Sequence, residues 1–152
     1  MSGADAVALR RGGWRWQALA MLFDVPHRPM RLHDPQEAGI LFAPLALERV
    51  EVLAFVYLDR HQQILGMRHA RSAHRDAADL PIRDVAADAI AFHAAAVVMG
   101  HNHPSGDPTP SQADREATDR LARALDALGV RLLDHLVVAT GGTTSFRSLG
   151  FL

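Results

Sequence analysis

The sequence predicts one mixed α/β domain, with helices packed on a sheet that is only partly parallel. Three observations carry that expectation. Two apolar runs of strand length, "VEVLAFVYLD" and "AAAVVMG", read as buried strands. Apolar residues recur at helical spacing in "LPIRDVAADAIAFH" and again after Ser111. The elements follow in the order helix, two strands, helix, strand, long loop, helix, two strands, which layers helices on a sheet. A chain of 152 residues is long enough for one real core but not for two.

Residues 1–31 read as a short extension, partly helical, in which Trp14 and Trp16 pack. There "LRRGGWRWQALAMLF" sets arginines before a short apolar run. The run is too short to span a bilayer and no small-residue cleavage site follows it, so a cytoplasmic protein is expected. The prolines of "FDVPHRPMRL" then interrupt regular structure, and the main domain is taken as residues 32–152. Asp34 reads as an N-cap, with Pro35 at the first helical position and Glu37 in the first turn. "VEVLAFVYLD" is the first strand of this domain, and "RHQQILGMRHA" supplies a turn and the second. Val85, Ala89 and Ile90, with His93, share a helical face. "AAAVVMG" leads straight into the stretch "GHNHPSGDPTPSQAD". The helix after Ser111 carries Ala117, Leu121, Leu125 and Leu128 on one stripe, and Gly129 is placed to cap its end. "VRLLDHLVVA", a "TGG" turn and "TTSFRSL" make a terminal hairpin.

Composition narrows the function classes. The chain is 49% apolar and 22% charged, as in a soluble globular protein, with a formal net charge of −1. Its arginines are interleaved with Asp and Glu, so a general nucleic-acid partner is not supported by charge. Nothing points to a membrane partner, and no pattern specifies an oligomeric state. There is no cysteine, which excludes disulfide frameworks, thiolate zinc sites, cysteine-held iron–sulfur clusters and Cys nucleophiles. Only His, Asp and Glu remain for a metal, and the nine histidines make that question worth asking.

Side chains two apart on an extended chain point the same way, so His101 and His103 can aim both imidazoles at one point while Asn102 faces elsewhere. They emerge at the carboxyl end of a buried strand, where ligands sit in α/β proteins. Ser111 and Asp114 have an ordinary reading as a capping box, which contributes on the order of 1 kcal/mol and requires no function. Together with the histidines they read differently. Two His and one carboxylate give three protein ligands and leave a fourth position for water on a tetrahedral zinc. Hydrolysis by that water also needs a proton acceptor and an oxyanion donor. The Ser111 hydroxyl can serve as the donor. Glu51 is the first choice of base, because a carboxylate in an otherwise apolar strand is expensive to bury without a partner. Glu48 is its competitor, in a more solvated position before the strand. The other histidines, His27, His33, His61, His69 and His74, read as ordinary polar residues.

Glu51, then His101-x-His103-Pro104, then Ser111-x-x-Asp114 resembles the pattern of the JAMM (JAB/MPN+) metalloprotease domain. More narrowly, "HNHPSGDPTPS" followed by "AD" and then "LLDHLVV" resembles the RadC-like branch of bacterial JAB-domain proteins, over Leu32 to the C terminus. The resemblance implies a zinc ion (Zn2+) held by His101, His103 and Asp114. It implies a water activated by Glu51, with Ser111 helping to bind the tetrahedral intermediate. In characterised branches of the wider family this chemistry cleaves peptide or isopeptide bonds, so a protein or peptide substrate is expected. The implied fold is a mixed sheet flanked by helices, similar to that of the cytidine deaminases. Asp114 then turns to the metal, while Ser111 keeps its contact with the first helical turn.

Two departures stand out. Many RadC-like proteins carry a helix-hairpin-helix module ahead of this domain, and residues 1–31 are too short for one and lack its glycine hairpins. The second is "LPIRDV", where Pro81, Arg83 and Asp84 are a looser version of a Pro-Arg-Glu sequence. The Asp134-His135 pair also matches the branch, and reads equally as a contact orienting a ligand histidine or as a structural pair at a strand start.

Rival classes are separable. The adjacent letters "HNH" do not make the nuclease of that name, whose residues are dispersed over a ββα unit, and no basic cluster accompanies them. A non-haem iron oxygenase also uses two His and one carboxylate, but it requires no separate base such as Glu51. The non-hydrolytic alternative is a JAB-domain accessory in DNA repair or protein interaction with little peptidase activity of its own, or a zinc protein that awaits a partner before it cleaves.

Overall fold

The computed structural model describes residues 10–11, 14–18, 31–72 and 80–152. In chain order its strands are β1 (Arg10–Arg11), β2 (Trp14–Ala18), β3 (Val52–Leu58), β4 (Ile64–Ser72), β5 (Ala96–Asn102), β6 (Arg131–Ala139) and β7 (Gly142–Ser145). The α-helices are α1 (Pro35–Phe42), α2 (Ile82–Ala91) and α3 (Gln112–Asp126), with a 3-10 turn over Ala43–Leu47. The strands form a 7-stranded sheet in the order β1-β2-β4-β3-β5-β6-β7. Among these neighbours β5 and β6 alone run parallel, so the sheet is mixed, as the element order predicts.

Helices cover both faces of the central strands, which is why β3 and β5 are buried at every position. Leu53, Phe55, Tyr57, Val97 and Met99 pack with Val85 and Ala89 of α2 and Leu121 and Leu125 of α3. Val52, Ala54, Val56, Leu58, Ala96 and Val98 pack on the other face with Ala38 and Phe42 of α1. Each Val, Leu, Phe or Met side chain among them, fully removed from water, contributes about 1.5–3 kcal/mol. Gly100 lets α1 close down on β5: a Cβ there would stand 2.7 Å from the Phe42 ring.

Local signals account for the helix starts. The Asp34 side chain accepts a hydrogen bond from Glu37 N at 2.9 Å, with Pro35 in the first turn. The stripes are narrower than their spacing suggests. Val85 and Ala89 are buried, but Ile90 is 59% exposed because it lies off the i, i+4 row that meets the sheet. His93 falls beyond the helix at φ 52, and Phe92 packs instead, against Gly66 and Tyr57. Leu128 lies past the end of α3 and is 45% exposed. Gly129 does take the left-handed conformation, at φ 73.

The partly helical extension needs correction over Trp14–Ala18, which is a strand paired antiparallel with β4, Trp14 opposite Ser72. The edge of β4 offers unpaired backbone groups, and Trp-Arg-Trp-Gln alternates with a period of two, so the sheet overrides a helical reading. The packing of Trp14 and Trp16 and the course of residues 19–30 lie outside the described residues. Among the described residues no helix is long and apolar enough to cross a membrane.

Candidate metal centre

Strands β3 and β5 are antiparallel neighbours, with Leu53 opposite His101. Odd-numbered residues of both strands face α2 and α3, and even-numbered ones face α1. Continuing that register by two residues sets Glu51 opposite His103, on the face where His101 also points. The chain leaves β5 through a loop in which Gly106 turns at φ 90, and it re-enters at the N-terminus of α3, capped by Ser111. A strand end, a strand start and a helix start thus meet at one point.

There His101 Nε2 and His103 Nε2 lie 3.0 Å apart. Asp114 Oδ1 is 3.3 Å from His101 Nε2, and its Oδ2 is 3.1 Å from His103 Nε2. Among the described residues these three form the one group of His, Asp or Glu whose ligand atoms all fall within 4.8 Å of one another.

The chemistry of these atoms fits a cation. His103 Nδ1 lies 2.8 Å from the Asp107 carbonyl oxygen, and a carbonyl only accepts, so Nδ1 donates and Nε2 presents its lone pair inward. The carboxylate oxygens are acceptors as well. Acceptor atoms this close repel unless a positive charge stands among them, either a proton shared with His103 or a metal ion. A tetrahedral zinc with bonds of about 2.0–2.1 Å separates its ligand atoms by about 3.3 Å. The observed contacts of 3.0, 3.1 and 3.3 Å lie near that separation.

The electrostatics agree. Burial pushes the Asp114 carboxyl up, but its contacts with His101, His103 and the Ser111 amide outweigh burial and hold it well below the usual carboxylate range. The Asp114 contact raises His103, against the opposing effect of its burial. Glu51 is half-buried and raised, chiefly by burial, with His101 lowering it and Asp114 raising it further. His103 lowers it as well, in keeping with the register that sets Glu51 opposite that residue. Glu48, its competitor, is placed elsewhere: both its carboxylate oxygens accept hydrogen bonds from the Arg71 guanidinium.

The capping box is present, and its geometry is compatible with a metal-facing Asp114. Ser111 Oγ accepts from Asp114 N at 3.0 Å, and Ser111 N donates to Asp114 Oδ2 at 2.8 Å. That leaves Oδ1 facing His101. One carboxylate starts the helix with one oxygen and faces the imidazoles with both.

The Asp134-His135 pair divides between its two readings. Asp134 is structural: it accepts from His135 N at 2.7 Å, Arg147 N at 3.0 Å and Ser145 Oγ at 2.6 Å, tying β6 to the β7 end. His135 faces α3, and its Nε2 lies 2.6 Å from His101 Nδ1.

Two further residues escape a reading of the sequence by itself. Asn102 is fully buried on the α1 face, and its Oδ1 accepts from Val52 N at 2.7 Å. Its Nδ2 donates to Val50 O at 3.0 Å and Glu48 O at 3.2 Å. It clamps the backbone on both sides of Glu51. Thr118 is the other, one turn after Asp114 and 1% exposed. Its signal was a hydroxyl on the otherwise apolar row of α3.

Comparison with known proteins agrees with this architecture. The profile of the RadC-like JAB domain matches residues 32–151. A UPF0758 protein of Xanthomonas axonopodis pv. citri is 39% identical over 132 residues, covering 86% of this chain and 59% of its own length. A UPF0758 protein of Xylella fastidiosa is 40% identical over 126 residues, covering 82% of this chain and 56% of its own. The chain therefore spans less than two thirds of the curated relatives it matches. With the profile over nearly all of the described domain and relatives at this identity, the chain belongs to the RadC-like JAB domain family.

Proposed function

We propose that this chain is a zinc-dependent metallohydrolase that cleaves an amide bond in a protein or peptide, as a peptidase or isopeptidase. The observation that carries the reading is the convergence of ligand atoms of His101, His103 and Asp114 within 4.8 Å of one another, with Glu51 set by strand register opposite His103. An oxygenase triad needs no such base.

When bound, zinc supplies a Lewis acid and lowers the pKa of a coordinated water to about 7. The residues divide the remaining work. His101, His103 and Asp114 hold the ion. Glu51 takes the proton of the attacking water and returns it to the leaving amine, a task suited to a carboxylate whose pKa burial raises. Ser111 uses a lone pair for the Asp114 amide, so its exposed hydroxyl keeps its hydrogen for the oxygen on which charge develops.

Metal analysis by mass spectrometry tests the site. One zinc per wild-type chain, lost in Asp114→Ala, is expected; equal metal in both, or none in either, returns Ser111 and Asp114 to a capping box alone. Iron in place of zinc revives the oxygenase. A screen of peptide and isopeptide substrates then tests the base. Glu51→Gln should keep zinc and lose turnover by about 100-fold or more, and normal cleavage by that variant removes Glu51 from the mechanism.

A further inference from the structure

We propose that Thr118, acting through His135, sets the tautomer of His101 and so holds the His101 Nε2 lone pair toward the metal. The proposal rests on the metal reading of the site. Both residues are positioning residues, since neither touches the ion or the substrate.

The argument is a count of hydrogens. Thr118 Oγ1 lies 2.6 Å from the Asp114 carbonyl oxygen, which can only accept, so the single hydroxyl hydrogen is donated there. The same oxygen lies 2.7 Å from His135 Nδ1 and has only a lone pair left to offer, so His135 Nδ1 must donate. His135 is 1% exposed and stacked on Phe146, with ring centroids 4.5 Å apart. Among the described residues no carboxylate bonds to its ring, so the ring stays neutral and carries one N–H. Its Nε2 is then a bare acceptor, 2.6 Å from His101 Nδ1, and His101 Nδ1 must be the donor. His101 Nε2 is left with its lone pair, aimed at His103 and Asp114.

The chain of bonds starts on the carbonyl of one ligand residue and ends on the ring of another. It passes through α3, β6 and β5, so the helix start and the strand end are fixed to each other by the same contacts that set the tautomer. Without the Thr118 oxygen, His135 has no reason to keep its hydrogen on Nδ1. Moving it to Nε2 forces His101 to carry its own hydrogen on Nε2, where it blocks a metal. A threonine bonding back to the i−4 carbonyl also occurs as a purely local helix feature. That reading predicts no effect on metal binding.

The test is zinc affinity of the full chain, measured by competition with a chromophoric chelator, for wild type, Thr118→Val and Thr118→Ser. The valine variant keeps the shape and loses the oxygen, and its affinity should fall about 10- to 100-fold, the range for lost partners of ligand histidines. The serine variant keeps the oxygen and should bind as wild type does. Equal affinity in wild type and Thr118→Val overturns the proposal, and so does an equal fall in both variants, which assigns Thr118 to packing. A wild-type chain that takes up no zinc overturns the metal reading and this proposal with it. Nitrogen-15 NMR of the zinc-loaded wild type gives a second answer that no variant's folding can obscure. His135 protonated at Nδ1 and bare at Nε2 supports the relay, and a hydrogen on Nε2 overturns it.

Discussion

Replacing Asn102 by alanine should separate what holds the proposed base from what holds the proposed metal. Asn102 sits between the two histidines in sequence, yet it faces the opposite side of the sheet and makes three hydrogen bonds to backbone, at 2.7, 3.0 and 3.2 Å. A neutral hydrogen bond contributes about 1 kcal/mol net, so the three together amount to about 3 kcal/mol. The Val52 N–H, buried without an acceptor, would add to that loss. In a domain of this size 1 kcal/mol corresponds to about 2–4 °C, so Tm should fall by about 6–12 °C. Urea unfolding followed by circular dichroism reads the same quantity as a shift in midpoint at constant slope. Zinc content should survive, because the ligand side chains lie on the α3 face, while turnover should fall by about 100-fold if Glu51 drifts by 1 Å. A loss of stability below about 1 kcal/mol, or a loss of zinc with stability intact, would refute this account of the clamp.

Three other outcomes follow from particular contacts. Glu48→Gln breaks the partly exposed pair with Arg71 and should cost about 1 kcal/mol or less in urea unfolding, with zinc content unchanged; zinc loss would reinstate Glu48 as a rival to Glu51. Gly100→Ala drives a Cβ to 2.7 Å from the Phe42 ring and should destabilise the chain by about 1–3 kcal/mol, readable in a thermal melt. Asp88 is raised by burial, against the opposing pull of Arg68 and the Tyr57 hydroxyl, so the folded chain holds its proton more tightly than the unfolded one. Its contribution is therefore fully present below the unfolded value of about 3.9 and is lost as pH rises through the raised folded value. Unfolding titrations should show wild type losing stability relative to Asp88→Asn over that window, and a gain instead would reverse the assignment.

Much of the candidate site was legible because its parts are local. His101 and His103 share a face by the two-residue period of extended chain, and Ser111 and Asp114 share a helix turn, so both pairs can be read without knowing the fold. Glu51, the proposed base, stands out for a different reason: a carboxylate amid an apolar strand needs an explanation on burial cost alone. Glu48 could not be set aside until Arg71, on the neighbouring strand, was seen to hold it. His135 was an even choice between two roles because both depend on what lies across the sheet. Its ring lies against His101 on the parallel neighbour, while Asp134 beside it bonds Ser145.

By itself, then, the sequence determined the element order, the mixed sheet, the two buried central strands and the residues of a candidate site made from His and Asp. These follow from periodicity, composition and short spacings, which act within a few residues. Only the tertiary structure decided the strand at Trp14–Ala18, the clamp by Asn102 and the path from Thr118 through His135 to His101. Each of those rests on a hydrogen-bond partner far away in the chain, and a hydrogen bond leaves no trace in sequence until the fold brings donor and acceptor within about 3 Å.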